Sequence, residues 1–258
     1  SHPREGISIE FKITEVSGRK MHFTDEIGDN YSVPVRSLSP AIRTLSNHKT
    51  MNLKMPPDWL VIERFNGDEL FWGNANPDKL LPQRIKHMKS RLGNIVMAGY
   101  GNYDVAAPGS RVIAAFCEQR ITPTWTCWRL NIEDDRAAKI TTLYLNSTFA
   151  LATLLDCSIE VRGSVRKWRK PDLQSLPVID PNKLSSAECD ALLAVFEEVA
   201  DEEFPSLSEQ WSDGNEVRNR IDSAIAKVAL KPENPAAIRL LRRAVAERIR
   251  GWKDMMEA

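Results

Sequence analysis

Residues 140–180 constrain this chain more than any other stretch: ITTLYLNSTFALATLLDCSIEVRGSVRKWRKPDLQSLPVID. Ile140, Leu143, Tyr144, Ser147, Leu151 and Leu154 recur at the period that puts them on one face of a helix over residues 135–155. Asn146-Ser147-Thr148 interrupts it with poor helix formers. Two readings stay open: the triplet breaks or kinks the helix, or the Asn146 side chain holds a neighbouring loop. Arg162-Gly163-Ser164-Val165-Arg166-Lys167-Trp168-Arg169-Lys170 follows as a loop with five basic residues and no acid. Pro171 to Val178 then reads as a short turn of helix with an extended exit. A packed helix that delivers a basic, Trp-bearing loop implies a surface for phosphates and bases. Arg162, Arg166 and Arg169 offer the planar fork that matches phosphate or a guanine edge. Lys167 and Lys170 offer point charges. Trp168 either stacks on a base or packs under the loop, and a solvated loop of no function is the competing reading.

Charge composition makes this clustering informative. Lys plus Arg and Asp plus Glu each number 35 in 258 residues, so bulk charge says nothing about nucleic acid. A second cluster, Lys79, Arg84, Lys86 and Lys89, surrounds the stripe Leu80, Leu81, Ile85 and Met88 of a predicted helix over 74–92. It reads either as a further DNA-facing set or as a solvated face.

Elsewhere the pattern is mixed. Residues 7–35 alternate with a period of two and read as strands, with turns at Ser17-Gly18-Arg19-Lys20 and Gly28-Asp29-Asn30. Ser39-Pro40 is expected to open a short helix. Strands are expected over 53–65, 95–98, 112–117 and 124–130. Between them, Gly99-Tyr100-Gly101-Asn102-Tyr103-Asp104 reads as a loop that suits base stacking or is merely a turn. After Pro181 the chain reads as helical. Ser185-x-x-Glu188 and Asp213-x-x-Glu216 have the form of capping boxes, and Asn234-Pro235 that of an N-cap with proline at the first helical position. The whole is expected to be α+β, with a β-rich portion over 1–70, a mixed portion over 71–183 and a helical portion over 184–258.

Several chemistries lack their signatures. The sequence contains no phosphate-binding Gly-x-x-x-x-Gly-Lys-Ser/Thr loop, no Gly-x-Gly-x-x-Gly and no Gly-x-Ser-x-Gly elbow. Four cysteines, at 117, 127, 157 and 189, form no Cys-x-x-Cys and read as reduced, buried thiols of a cytoplasmic protein, not a metal site. No apolar run reaches the ~18 residues of a membrane span. No catalytic residue and no bound metal are expected. The start at Ser1-His2-Pro3, without Met, reads as that of a fragment.

Thr142-Leu143-Tyr144-Leu145-Asn146-Ser147-Thr148, Arg162-Gly163-Ser164 and Lys170-Pro171-Asp172-Leu173-Gln174-Ser175-Leu176-Pro177-Val178 together resemble the C-terminal target recognition region of N6-adenine DNA methyltransferases. The short Asp-Leu-x-x-Leu-Pro-Val element followed by a capped helix is also similar to specificity subunits of type I restriction systems. Leu80-Leu81-Pro82-Gln83-Arg84-Ile85 and Thr124-Trp125-Thr126-Cys127-Trp128 fall where such domains carry comparable segments, so the resemblance covers about residues 70–200. It implies sequence-specific recognition of double-stranded DNA, a flipped adenine as substrate and S-adenosylmethionine as the parent enzyme's cofactor. Residues 71–183 would be the target recognition domain. The chain departs from the family in lacking its Asn/Asp-Pro-Pro-Tyr/Phe motif and its glycine-rich cofactor motif; Met55-Pro56-Pro57-Asp58 is not the former. The resemblance therefore implies a non-catalytic DNA-reading part, with no cofactor of its own. Its partners would be duplex DNA and a methyltransferase domain in the same protein or a partner subunit, in restriction-modification or phage defence. A protein–protein docking module, using the helices after 185, is the alternative.

Overall fold

Alternating residues at the start of the chain form an antiparallel meander: β1 (Lys12–Ser17), β2 (Lys20–Thr24) and β3 (Asn30–Pro34). Gly28, between β2 and β3, has φ 92°, a left-handed conformation that favours glycine. The structure is a computed structural model. It describes residues 12–17, 19–24, 28, 30–35, 38–46, 48–61, 91–102, 110–123, 126–162, 165–207, 209–211, 215–231 and 234–257. The expected helix over 74–92 lies almost wholly outside the described residues.

The central sheet comprises β4 (Leu38–Ile42), β5 (Asn52–Leu53), β6 (Asp58–Val61), β7 (Gly93–Ala98), β9 (Ala114–Pro123) and β10 (Cys127–Leu130); β8 (Tyr100–Asn102) leaves it for another sheet. Its order is β10-β7-β9-β4-β6, with β5 also on β9. The helix expected to open at Ser39-Pro40 does not form; these residues lie in β4. Pro40 is tolerated because β4 pairs with β9 only at Ala41 and Ile42, so Pro40 faces a partner, Trp59 of β6, on one side alone. The far edge of β9 is shared: β5 takes Phe116 and Cys117, and β4 takes Thr122 and Pro123. Between these pairings, residues 118–120 of β9 are exposed.

Helix α1 (Asp135–Leu145) is seated by Asn94 of β7. The Asn94 amide donates to the Ile132 carbonyl at 2.7 Å and to Asp135 at 3.2 Å, and accepts from the Ile132 N–H at 3.0 Å. Helix α2 (Thr148–Cys157) follows after a break at Asn146 and Ser147. Both readings of the Asn-Ser-Thr triplet hold at once. Ser147 caps α2 by accepting from the Ala150 N–H. Asn146 reaches back to the sheet: Oδ1 accepts from the Ile113 and Ala114 N–H groups at 2.8 and 3.3 Å, and Nδ2 donates to the Ala114 and Thr142 carbonyls at 2.8 and 2.9 Å. One side chain thus pairs buried backbone groups at the helix break and at the start of β9.

Beyond the short helix α3 (Lys170–Gln174) come α4 (Ser186–Val199), α5 (Glu216–Ala229) and α6 (Pro235–Glu257). The Ser185/Glu188 capping box forms in full, and Asn234 accepts from the Ala237 N–H at 3.1 Å. The second expected box does not cap α5. Asn215 takes that place, accepting from the Arg218 N–H at 2.9 Å, which makes Glu216 the first helical residue. Helix α4 packs on α1 and α5, and α6 packs on α2. Ile95, Phe116, Leu143, Leu154, Phe196, Ile221, Ile225 and Ile249 consequently share one continuous apolar core. Mixed helices and sheets of this kind make the protein α+β.

A buried polar cluster locks the tail helices to the break. Asp222 of α5, 0% exposed, accepts from the Thr148 N–H at 2.7 Å, the Thr148 hydroxyl at 2.6 Å and Arg242 Nε at 2.7 Å. Arg218 donates to the Asn146 carbonyl at 2.7 Å and to Gln210, and stacks over Trp211 at 5.0 Å. Burial pushes the Arg218 guanidinium down to about 10, helped by Arg242 and opposed by Asp222.

Candidate nucleic-acid interface

The expected basic loop is strand at Arg162 and over Val165–Lys167. β11 (Ile159–Arg162) and β12 (Val165–Lys167) are antiparallel, and β12 pairs on its other side with β8. The glycine- and tyrosine-bearing loop and the basic loop of the sequence thus become one three-stranded sheet, in the order β11-β12-β8. Neither segment's periodicity announces a strand. Each pairs only over a few residues, and β8 and β12 lie about 60 residues apart in the chain.

Gly99 is where the chain passes from the central sheet into this small one. Its N–H donates to the Thr126 carbonyl at 2.9 Å, and its carbonyl accepts from the Trp168 N–H at 3.1 Å. A Cβ here would lie 2.7 Å from the Thr126 carbonyl oxygen, so no side chain fits. Trp128 Nε1 donates to the Trp168 carbonyl at 3.2 Å. The sheet is therefore rooted in the core at the residue that ends the hairpin.

Trp168 is 0% exposed, and its indole N–H donates to the Leu154 carbonyl at 2.9 Å. Of the two roles open to it, packing under the loop is the one it takes. Around this anchor the basic residues differ. Lys167 lies over the Tyr100 ring, 5.4 Å from its centroid. Arg166 is half-buried, in register with Glu160. Arg162 ends β11 opposite Val165. Lys170 is exposed at the start of α3. Arg169, also exposed, is paired with Asp172: Nε donates at 2.8 Å and Nη2 at 3.1 Å. That carboxylate was legible only as a spacing of three, at which an acid and a base meet on a helical turn. The Arg169 side chain beside it holds the Asp172 carboxyl below its ordinary range. Lys79, Arg84, Lys86 and Lys89 lie outside the described residues.

Charge on this neutral chain is segregated by element. Residues 186–203 contain seven acids and no Lys or Arg. Lys139 pairs there with Glu197, Arg220 with Glu198 and Glu202, Lys49 with Glu203 and Lys54 with Asp201. Among the described residues, local excess positive charge accordingly falls on the hairpin and on α6, which has six basic and three acidic residues. Among the described residues no group of His, Cys, Asp and Glu is set to hold a metal ion, and no helix is long and apolar enough to cross a membrane. All four cysteines are free thiols; Cys117 and Cys127 are buried as expected, whereas Cys157 and Cys189 are only half-buried.

No family model and no curated protein matches the chain. A solved structure of similar fold is that of the type IIG restriction endonuclease BpuSI. It superposes with a TM-score of 0.57 at 13% identity, over 85% of this chain and 26% of the enzyme. The chain thus spans about a quarter of that protein's length, and the likeness is one of fold.

Proposed function

We propose that this chain recognises double-stranded DNA in a sequence-specific way, as the non-catalytic part of an adenine-specific DNA methyltransferase of a restriction-modification system. The observation that carries this reading is the three-stranded sheet that joins Tyr100 and Gly101 to Arg166 and Lys167. A glycine-aromatic strand beside a basic strand supplies cations for phosphate and a flat surface for sugar or base. Rooting that sheet through Gly99 and Trp168 reduces the ordering cost of binding. The fold shared with a restriction endonuclease points to the same class of partner.

Cofactor chemistry belongs to the remainder of the parent enzyme on this reading. The chain's only Pro-Pro pair, Pro56-Pro57, follows the 71%-exposed Met55 in the turn between β5 and β6, a place that does not suit an adenine pocket. Calorimetry with S-adenosylmethionine should accordingly detect no tight binding to this chain alone.

The experiment is a salt titration of duplex binding by fluorescence anisotropy. Affinity should fall steeply and log-linearly with salt, and a preferred sequence should emerge from a randomised pool. A protein-docking role, for which the 68%-exposed Leu240 on α6 speaks, predicts no duplex binding at any salt.

A further inference from the structure

We infer that Arg169, held by Asp172, is the residue that reads a guanine edge. This rests on the DNA-recognition reading above and names the specificity-determining residue within it. Asp172 takes Arg169 side-on, through Nε and Nη2. A guanidinium has five N–H donors. Those left over are both hydrogens of Nη1 and one of Nη2; the Nη2 hydrogen and the Nη1 hydrogen parallel to it form the end-on fork. That fork is the one that matches the O6 and N7 acceptors of guanine in the major groove.

The surroundings fix where the fork points. Arg169 directly follows Trp168, which is 0% exposed. Its own carbonyl accepts from the Leu173 N–H at 3.1 Å, so its backbone is tied at the start of α3. The Asp172 side chain is 15% exposed and the Arg169 side chain 56%. The buttress is thus withdrawn while the reader reaches outward, with its rotamer selected before DNA arrives. The neighbouring bases differ in kind. Lys170 lacks a fork, Lys167 is engaged over Tyr100, and Arg166 stands in register with an acid.

Charge supports the same division of labour. A lone arginine binds phosphate anywhere along a duplex. An arginine with a carboxylate at its side is repelled from phosphate by that carboxylate but keeps its fork for a neutral base edge. Arg169–Asp172 therefore contributes discrimination, and Lys170 beside it contributes backbone affinity.

The test is selection of binding sites from a random-sequence duplex pool by the chain and by R169A, R169K and D172N, followed by anisotropy on the enriched duplex and a scrambled one. The chain should enrich a motif with a G·C pair at which R169A and R169K both become indifferent. On the enriched duplex R169A should bind about five- to a hundredfold more weakly, with little change on the scrambled one. D172N, which keeps the shape and loses the charge, should bind the enriched duplex more weakly and the scrambled duplex equally or better. Failure of the parent chain to enrich any motif overturns the DNA reading itself, and this inference with it. Enrichment of one motif alike by the parent and R169A overturns the inference alone, as does full preference retained by R169K.

Discussion

The indole N–H of Trp168 donates to the carbonyl of Leu154 across fourteen residues, at 2.9 Å, and so ties the end of the basic hairpin to α2. The Leu154 side chain is itself 0% exposed, so the bond lies within the apolar core. Trp168→Ala should destabilise the fold by about 3–5 kcal/mol through the cavity it leaves. Trp168→Phe fills most of that space but leaves the Leu154 carbonyl with only the weak Cys157 thiol as donor, at 3.5 Å, and should cost less. Urea unfolding of both variants measures this; an unchanged midpoint for the alanine variant would show that the ring is not core.

Asn146 makes a second such tie, to Ile113 and Ala114 at the start of β9. Asn146→Ala leaves these backbone groups buried and unpaired, at about 1–3 kcal/mol each. Asn146→Asp keeps the acceptor but turns a carboxylate oxygen towards the Ala114 carbonyl. Both should lower the thermal midpoint, the alanine variant by several degrees. Equal stability of the aspartate variant and the parent would mean that the Nδ2 bonds contribute nothing.

Residues with strong local signals were legible in the sequence, and residues defined by distant partners were not. The Ser185/Glu188 box and the Asn234 cap are complete within four residues, and both form. Ser39-Pro40 failed as a helix start because β6 and β9, far along the chain, recruit it as a strand. The basic loop was legible as chemistry, in five cations around a tryptophan. Its architecture was not, since the strand that completes its sheet, at Tyr100, gives no alternation of its own. Asp172 reads as part of a helical turn until its carboxylate is seen against Arg169. Asp222 similarly reads as one more polar residue on an amphipathic helix, although it is the hub of the buried cluster.

Removal of that hub should be costly. Asp222→Ala removes the carboxylate paired with the half-buried Arg242 and the charge that opposes the burial of Arg218, and strands the Thr148 N–H. Loss of one partner from a buried ion pair costs about 3–5 kcal/mol. Glu247→Ala, which breaks an exposed pair with Arg243 on the same α6, should change stability by no more than ~0.5 kcal/mol. Equal effects of the two substitutions in chemical denaturation would refute the distinction.

Acid sensitivity should concentrate at the start of α4. Lys231 first, then the Ser185 hydroxyl and backbone N–H, hold the Glu188 carboxyl down at about 2. The native carboxyl thus binds a proton less readily than its unfolded counterpart, whose ordinary value is 4.5. Its stabilising contribution is complete above that value and is lost as pH falls from about 4.5 towards about 2. Glu188→Gln should destabilise at neutral pH and approach the parent near pH ~3. Ser185→Ala should cost ~1 kcal/mol through the lost cap. A constant gap between Glu188→Gln and the parent over that range would rule out the titration.

The hairpin's cations should separate by what they touch. Lys167 and Lys170 carry charge without a fork, so Lys→Ala at either position should weaken binding to all duplexes about equally. Each phosphate left without its cation should reduce the salt slope by ~1. Arg166 is half-buried, so it is less available to DNA and should cost less than the exposed Lys170. Lys167 differs from Lys170 in resting on Tyr100. Tyr100→Leu removes the ring that positions its ammonium and should therefore mimic part of the Lys167→Ala loss, whereas Lys170→Ala should be additive with it. Measurement needs two duplexes, the preferred and the scrambled, at two or more salt concentrations. If every lysine variant binds both duplexes as the parent does, Lys167 and Lys170 make no phosphate contact.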